Sequence, residues 1–300
     1  MADVDAKPTI PREGEIVPRN IPFEFPDDIA PIWHAHREWS HLVNGASLTM
    51  PYLEPFLIAT LKEAADQIDD EDVLESIRGF NAQEAQHYKT HRRYNELLKA
   101  NGYEELAEVE RGMKAGYDKL RRRSLEYRLA YSAGFETMTL GVTRWLVAER
   151  RRLFGDSDTR VASFILWHFV EEAEHKRSAF DAYRAVSGRY WQRAFGVFAG
   201  AGHVAWWARK GAVAMLKKDG VWWDLRSRLR YWRRNAEFLL AIAPSLLRSL
   251  APGHDPRDEP DPEWVREWIA GYARSDQAAA PMVDTSDPLI PVPFAVTEQV

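Results

Sequence analysis

Apolar residues recur at three- and four-residue intervals through most of the chain, and no stretch alternates apolar with polar as a half-buried strand would. The pattern predicts an all-α protein. A short helix is expected over about 32–42, followed by four long ones: A over about 47–68, B over 70–100, C over 124–153 and D ending near 186. Asp69, Asp70 and Asp72 suit the start of B, and Asn101-Gly102 its end. Asp156, Ser157 or Asp158 can cap D, which stops before Gly188. Pro55 falls inside A, where it removes a hydrogen bond and threatens a kink. The A–B and C–D connections are short and imply antiparallel hairpins. The B–C connection is charged, is expected to be helical in part, and is long enough to recross the bundle. One long crossover is the ferritin-like arrangement.

Isolated acids inside apolar stretches change the picture. Glu54 is the only charge in LVNGASLTMPYLEPFLIATL (42–61), and Glu136 the only one in LAYSAGFETMTLGVT (129–143). No charge precedes Glu171 and Glu172 back to Val161. An ionised carboxylate among apolar neighbours is costly unless it is paired or binds metal. Each lone glutamate lies one helix before a Glu-x-x-His pair: Glu84-Ala-Gln-His87 on B and Glu172-Ala-Glu-His175 on D. Residues three apart share a helix face, so each pair aims an oxygen and a nitrogen donor at one place. The order Glu, Glu-x-x-His, Glu, Glu-x-x-His is the ligand set with which four-helix bundles hold two iron or manganese ions. A further Glu38-Trp-Ser-His41 lacks that context and reads as coincidence. His34-x-His36 suggests a barrel amidohydrolase only if strands alternate with helices, which they do not.

The expected metal ligands are therefore Glu54, Glu84, His87, Glu136, Glu172 and His175. Glu54 and His87 are assigned to one ion, Glu136 and His175 to the other, with Glu84 and Glu172 bridging. His91, one turn after His87, and His168, one turn before Glu172, are candidate acid–base groups or extra ligands. Ordinary hydrogen-bonded core histidines are the plain alternative. Thr139 could line the same pocket. The chain has no Cys, so thiolate sites and disulfides are excluded. Carboxylate and imidazole donors suit two iron ions, with manganese or zinc as alternatives. Such a centre can activate oxygen to oxidise or hydroxylate an organic substrate, which is the expected function. The alternative is hydrolysis by a two-metal-activated water. An iron store or bare scaffold comes third.

Net charge is −5, which argues against a nucleic-acid partner. Prolines at 8, 11, 18, 22, 26 and 31 make residues 1–40 an extended arm, and the polar N-terminus lacks a secretory signal, so a cytoplasmic location is expected. The bundle is placed at 41–188, a basic Trp-rich helical extension at 189–250, and a Pro-rich tail at 251–300. The extension carries 12 Lys/Arg against Asp219, Asp224 and Glu237. Its two helices, about 189–217 and 222–250, either pack on the bundle with basic side chains snorkelling, or lie on a membrane, which would make the protein peripheral to the inner membrane. The apolar run AFGVFAGAGHVAWWA is too short to span a bilayer. Its aromatic content hints at an apolar or lipid-like small-molecule substrate, with dioxygen as co-substrate if the enzyme is an oxidase. A homodimer is expected.

The stretches LVNGASLTMPYLEPF, RGFNAQEAQHYKTHRRYN, SAGFETMT and FVEEAEHKRSAFDAY resemble a bacterial family named "predicted metal-dependent hydrolase", over roughly residues 20–250. The resemblance implies a ferritin-like helical protein with its metal site at the six residues above. The family's name implies hydrolysis, whereas the ligand pattern is similar to that of di-iron oxygenases.

Overall fold

The computed structural model describes residues 15–286, and within them the only regular structure is helical. Four helices carry the expected donors: α2 (Met50–Ala65), α3 (Glu71–Ala100), α5 (Leu125–Ala148) and α7 (Thr159–His175), numbered along the chain with α1 (Arg37–Ser47), α4 (Leu106–Leu120) and α6 (Arg150–Phe154) between them. Then come α8 (Ser178–Val186), α9 (Tyr190–Lys218), α10 (Leu225–Ser249) and α11 (Glu263–Arg274). The starts follow local chemistry. Asp70 caps α3 by accepting from the Asp72 and Val73 amides, and Asp158 caps α7 through Arg160 N–H.

Pro55 sits inside α2, as expected, without ending it. Two boundaries differ from expectation. The expected helix C breaks at Glu149 into α5 and α6, and helix D breaks directly after His175 into α7 and α8. No glycine or proline marks either break, and nothing in the local sequence explains them. The charged B–C connection forms α4.

α5 is buried on nearly all sides, as its almost unbroken apolar sequence demands. α2, α7, α8, α9 and α10 all pack on it. α9 crosses α5 so closely that a Cβ on Gly134 would collide with the backbone of Gly196. The N-terminal segment is irregular, but from Glu15 onward it is no loose arm. Ile21, Phe23, Ile29 and Trp33 are buried, and the Phe23 ring lies 5.2 Å from that of Trp167 on α7. Residues 1–14 and 287–300 of the expected arm and tail lie outside the described residues.

Candidate metal centre

All six expected ligands are buried and converge between α2, α3, α5 and α7. Glu84, Glu136, Glu172 and His175 can place one donor atom each within 4.8 Å of one another, and so can Glu54, Glu84 and His87. The two middle carboxylates each face both histidines. Glu84 Oε2 lies 3.5 Å from His87 Nδ1 and its Oε1 3.5 Å from His175 Nδ1. Glu172 Oε1 lies 3.6 Å from His87 Nδ1 and its Oε2 3.6 Å from His175 Nδ1. Each oxygen of these two carboxylates thus faces a different histidine.

Polar satisfaction tests the fit to metal. Both oxygens of Glu54 and of Glu84, Oε1 of Glu136, Oε2 of Glu172, and Nδ1 of His87 and of His175 are buried without a hydrogen-bond partner. Buried polar atoms are normally partnered, and orphans clustered around one point call for a cation. The outer ring nitrogens, by contrast, are held. His87 Nε2–H donates to Glu171 Oε2 at 2.8 Å. Gln83 donates its amide to Val17 O and Glu174 Oε2, so its Oε1 must accept, and His175 Nε2–H donates to it at 2.7 Å. Both imidazoles are thereby fixed with Nδ1 turned inward, the orientation a metal ligand requires once that nitrogen gives up its proton. Arg19, buried, anchors the shell by pairing with Glu171 and Glu174.

These supporting residues were not assigned from the sequence, yet a signal exists. Gln83 and Glu171 each precede the glutamate of a Glu-x-x-His pair, and each serves the histidine of the opposite helix. Arg19, in the irregular N-terminal segment, left no comparable trace.

His91 and His168 belong to the same cluster. Asn95 donates its amide to Ser47 O and accepts from Ser47 Oγ–H at 2.8 Å, so His91 Nδ1–H donates to Ser47 Oγ at 2.8 Å. His91 Nε2 is then a lone pair that accepts from His168 Nδ1–H. His168 Nε2 faces the centre, hydrogen-bonded to Glu172 Oε1 at 2.9 Å and 3.9 Å from Glu54 Oε1. Thr139 Oγ1–H donates to Glu136 O at 2.8 Å and lies 3.4 Å from Glu136 Oε2.

The electrostatics follow from crowding buried acids. Burial, then the charges of neighbouring glutamates, pushes Glu54 and Glu136 well above the usual carboxylate range. Burial alone would lower His87 and His175, but the surrounding carboxylates outweigh it and hold both up. The same cations overcome the burial of Glu172 and hold it well down. His91 and His168 are pushed down, by burial first and then by neighbouring imidazoles. The crowded acids and the two inner histidines thus hold protons more tightly than in water, at the place where a cation would neutralise the same charge.

The other motifs resolve into structural roles. Glu38 accepts from Arg230 at 2.8 Å, and His41 contacts Asp219 at 2.7 Å. His34 Nδ1 accepts from the His36 amide at 2.9 Å. Beside the centre lies an apolar cavity of about 160 Å³, with Thr139 and His168 among its lining and Arg209, Arg234 and Asn235 on α9 and α10. No helix among the described residues is long and apolar enough to cross a membrane.

The family model described as "predicted metal-dependent hydrolase" matches residues 17–260. No curated protein and no solved structure was found to match. The chain belongs to the predicted metal-dependent hydrolase family.

Proposed function

We propose that the protein is a hydrolase that holds two metal ions between α2, α3, α5 and α7 and acts on an apolar substrate in the adjoining cavity. One observation carries this reading: each oxygen of Glu84 and of Glu172 faces a different histidine, while eight inward donor atoms lack partners. Glu54 and His87 would hold one ion, Glu136 and His175 the other, with Glu84 and Glu172 bridging. His168 Nε2, on a ring oriented through His91 and Ser47, would add a third imidazole nitrogen in place of its hydrogen bond to Glu172 Oε1. When bound, such a pair of ions polarises a substrate oxygen and lowers the pKa of a water nucleophile.

The protein residues supply the rest. Gln83 and Glu171 hold the imidazoles against rotation. Glu54 and Glu136, which burial and neighbouring carboxylates push toward their protonated forms, would serve as ligands in their ionised forms. The cavity's apolar wall keeps bulk water away and positions an apolar group beside His168 and Thr139.

The donor set favours a second reading. Four carboxylates with few nitrogens and no sulfur suit iron, as in ferritin-like di-iron bundles. Two irons would supply electrons to dioxygen, and the same cavity would hold the molecule to be oxidised. Metal analysis of the purified protein separates the two, joined to two assays. In one, esters of increasing acyl length are offered to the metal-loaded chain. In the other, the spectrum of the reduced, iron-loaded chain is followed on adding oxygen. Ester cleavage that disappears in Glu84→Ala supports hydrolysis. An oxygen-dependent band and oxygen uptake, with no cleavage, support oxidation and overturn the first reading.

A further inference from the structure

Among the described residues, every large, well-exposed apolar side chain except Met282 lies between Trp191 and Leu247, on α9, α10 or the turn joining them. On α9 the outward stripe is Trp191, Phe195, Phe198 and Trp206, with Trp191 80% exposed. On α10 it runs through Leu225, Leu229, Trp232 and Leu240, the last 76% exposed. The spacing is that of one helix face in each case. A water-facing helix places polar residues there. These two helices instead bury one side against α5 and α1 and still present apolar residues outward.

The charge on this face has one dominant sign. Residues 189–250 balance at +9 (12 basic against 3 acidic), while the remainder carries −14, since −5 − 9 = −14. Arg226, Arg228, Arg233, Lys210 and Lys217 are exposed beside the apolar stripes. Cations also sit over rings: Lys210 Nζ is 5.2 Å from the Trp206 ring, and Arg209 is 5.4 Å from that of Trp232. Tryptophan and leucine flanked by arginine and lysine, on helices that cannot span, is the composition of a helix pair lying in a lipid interface.

We propose that the outward faces of α9 and α10 dock the protein on an anionic lipid bilayer. A second copy of the chain fits this face less well. A two-fold interface places a patch against itself, so the arginines and lysines would meet their own kind. Anionic headgroups neutralise them instead, and the acyl boundary receives the leucines and tryptophans. The cavity beside the metal centre is walled on this side by Ala205, Ala208 and Arg209 of α9 and Arg234, Asn235 and Phe238 of α10. An apolar substrate could therefore pass from lipid to the centre between the two helices. That last step rests on the proposed function; the docking does not.

The test is sedimentation of the full chain with vesicles of phosphatidylcholine, with and without phosphatidylglycerol, at low and physiological salt. Binding is expected with the anionic vesicles and is expected to weaken as salt rises. Leu229→Glu with Leu240→Glu should reduce it on the order of a hundredfold. Lys217→Glu with Arg226→Glu should reduce it roughly tenfold or more, with helicity retained. Metal content should be unchanged in both, which keeps the outcome separate from the fate of the centre. No binding at low salt, equal binding to neutral vesicles, or unchanged binding by both variants would overturn the proposal. So would a dimer in solution that the leucine substitutions split, because the face would then belong to a second copy.

Discussion

Replacing Glu136 by Gln keeps the side chain's shape and removes its charge. In the metal-free protein this carboxyl is buried, its Oε1 has no partner, and burial plus the neighbouring Glu172 and Glu84 already favour its protonated form. An amide there relieves acid crowding, so metal-free Glu136→Gln should unfold within about 1 kcal/mol of wild type, or at higher temperature. With metal the effect reverses. Loss of a partner outside the ligand shell typically costs 10–100-fold in metal affinity, and loss of a ligand should cost at least as much. A hundredfold is about 2.7 kcal/mol of linked stability when metal is in excess. At about 2–4 °C per kcal/mol, metal-loaded Glu136→Gln should melt about 5–10 °C below loaded wild type. Calorimetry of both proteins, with and without manganese, reads both quantities. A metal-dependent rise equal to wild type would remove Glu136 from the centre. A fall of several degrees without metal would make it a structural group instead.

Gln83→Ala removes the acceptor of His175 Nε2–H without touching the donors, and should weaken metal binding about 10–100-fold by titration calorimetry. The metal-free protein should lose stability as pH rises above about 6.5: Glu54, Glu136, His87 and His175 all bind protons more tightly folded than unfolded, while His91 and His168, shifted the other way, act only below that value. Metal binding should show the opposite trend, tightening with pH as those protons leave, and melting curves across pH with and without metal check both. Val142→Trp should fill the apolar cavity and abolish turnover of bulky substrates while metal content stays at the wild-type level. Gly134→Ala should destabilise by about 1–3 kcal/mol in a denaturant titration, because its Cβ meets Gly196 where α5 and α9 cross.

The clustering of the six side chains was legible because their chemistry violates the local pattern. Glu54 and Glu136 are acids where the helix period asks for apolar residues, and such conflicts concentrate at functional sites. The Glu-x-x-His spacing supplied direction. The support of the site was harder to see. Gln83 is uncharged, and Glu171 looks like a neighbour of Glu172 until the two helices are placed face to face. Ser47 and Asn95, which orient His91, reach it from α1 and from a position four residues on, and neither spacing announces a role. Helix ends followed caps where caps exist, at Asp70 and Asp158. The breaks after Ala148 and His175 carry no proline or glycine and were invisible. The short N-terminal segment misled through its prolines, which forbid a helix but not burial, as Phe23 shows.

Anomalous diffraction from crystals of the metal-loaded protein tests the central claim most directly. Two peaks about 3.5–4 Å apart are expected, one beside His87 Nδ1 and the other beside His175 Nδ1, with Glu84 and Glu172 spanning them. A single ion elsewhere on the chain, or no peak among these six side chains in protein soaked with manganese, iron or zinc, would contradict it.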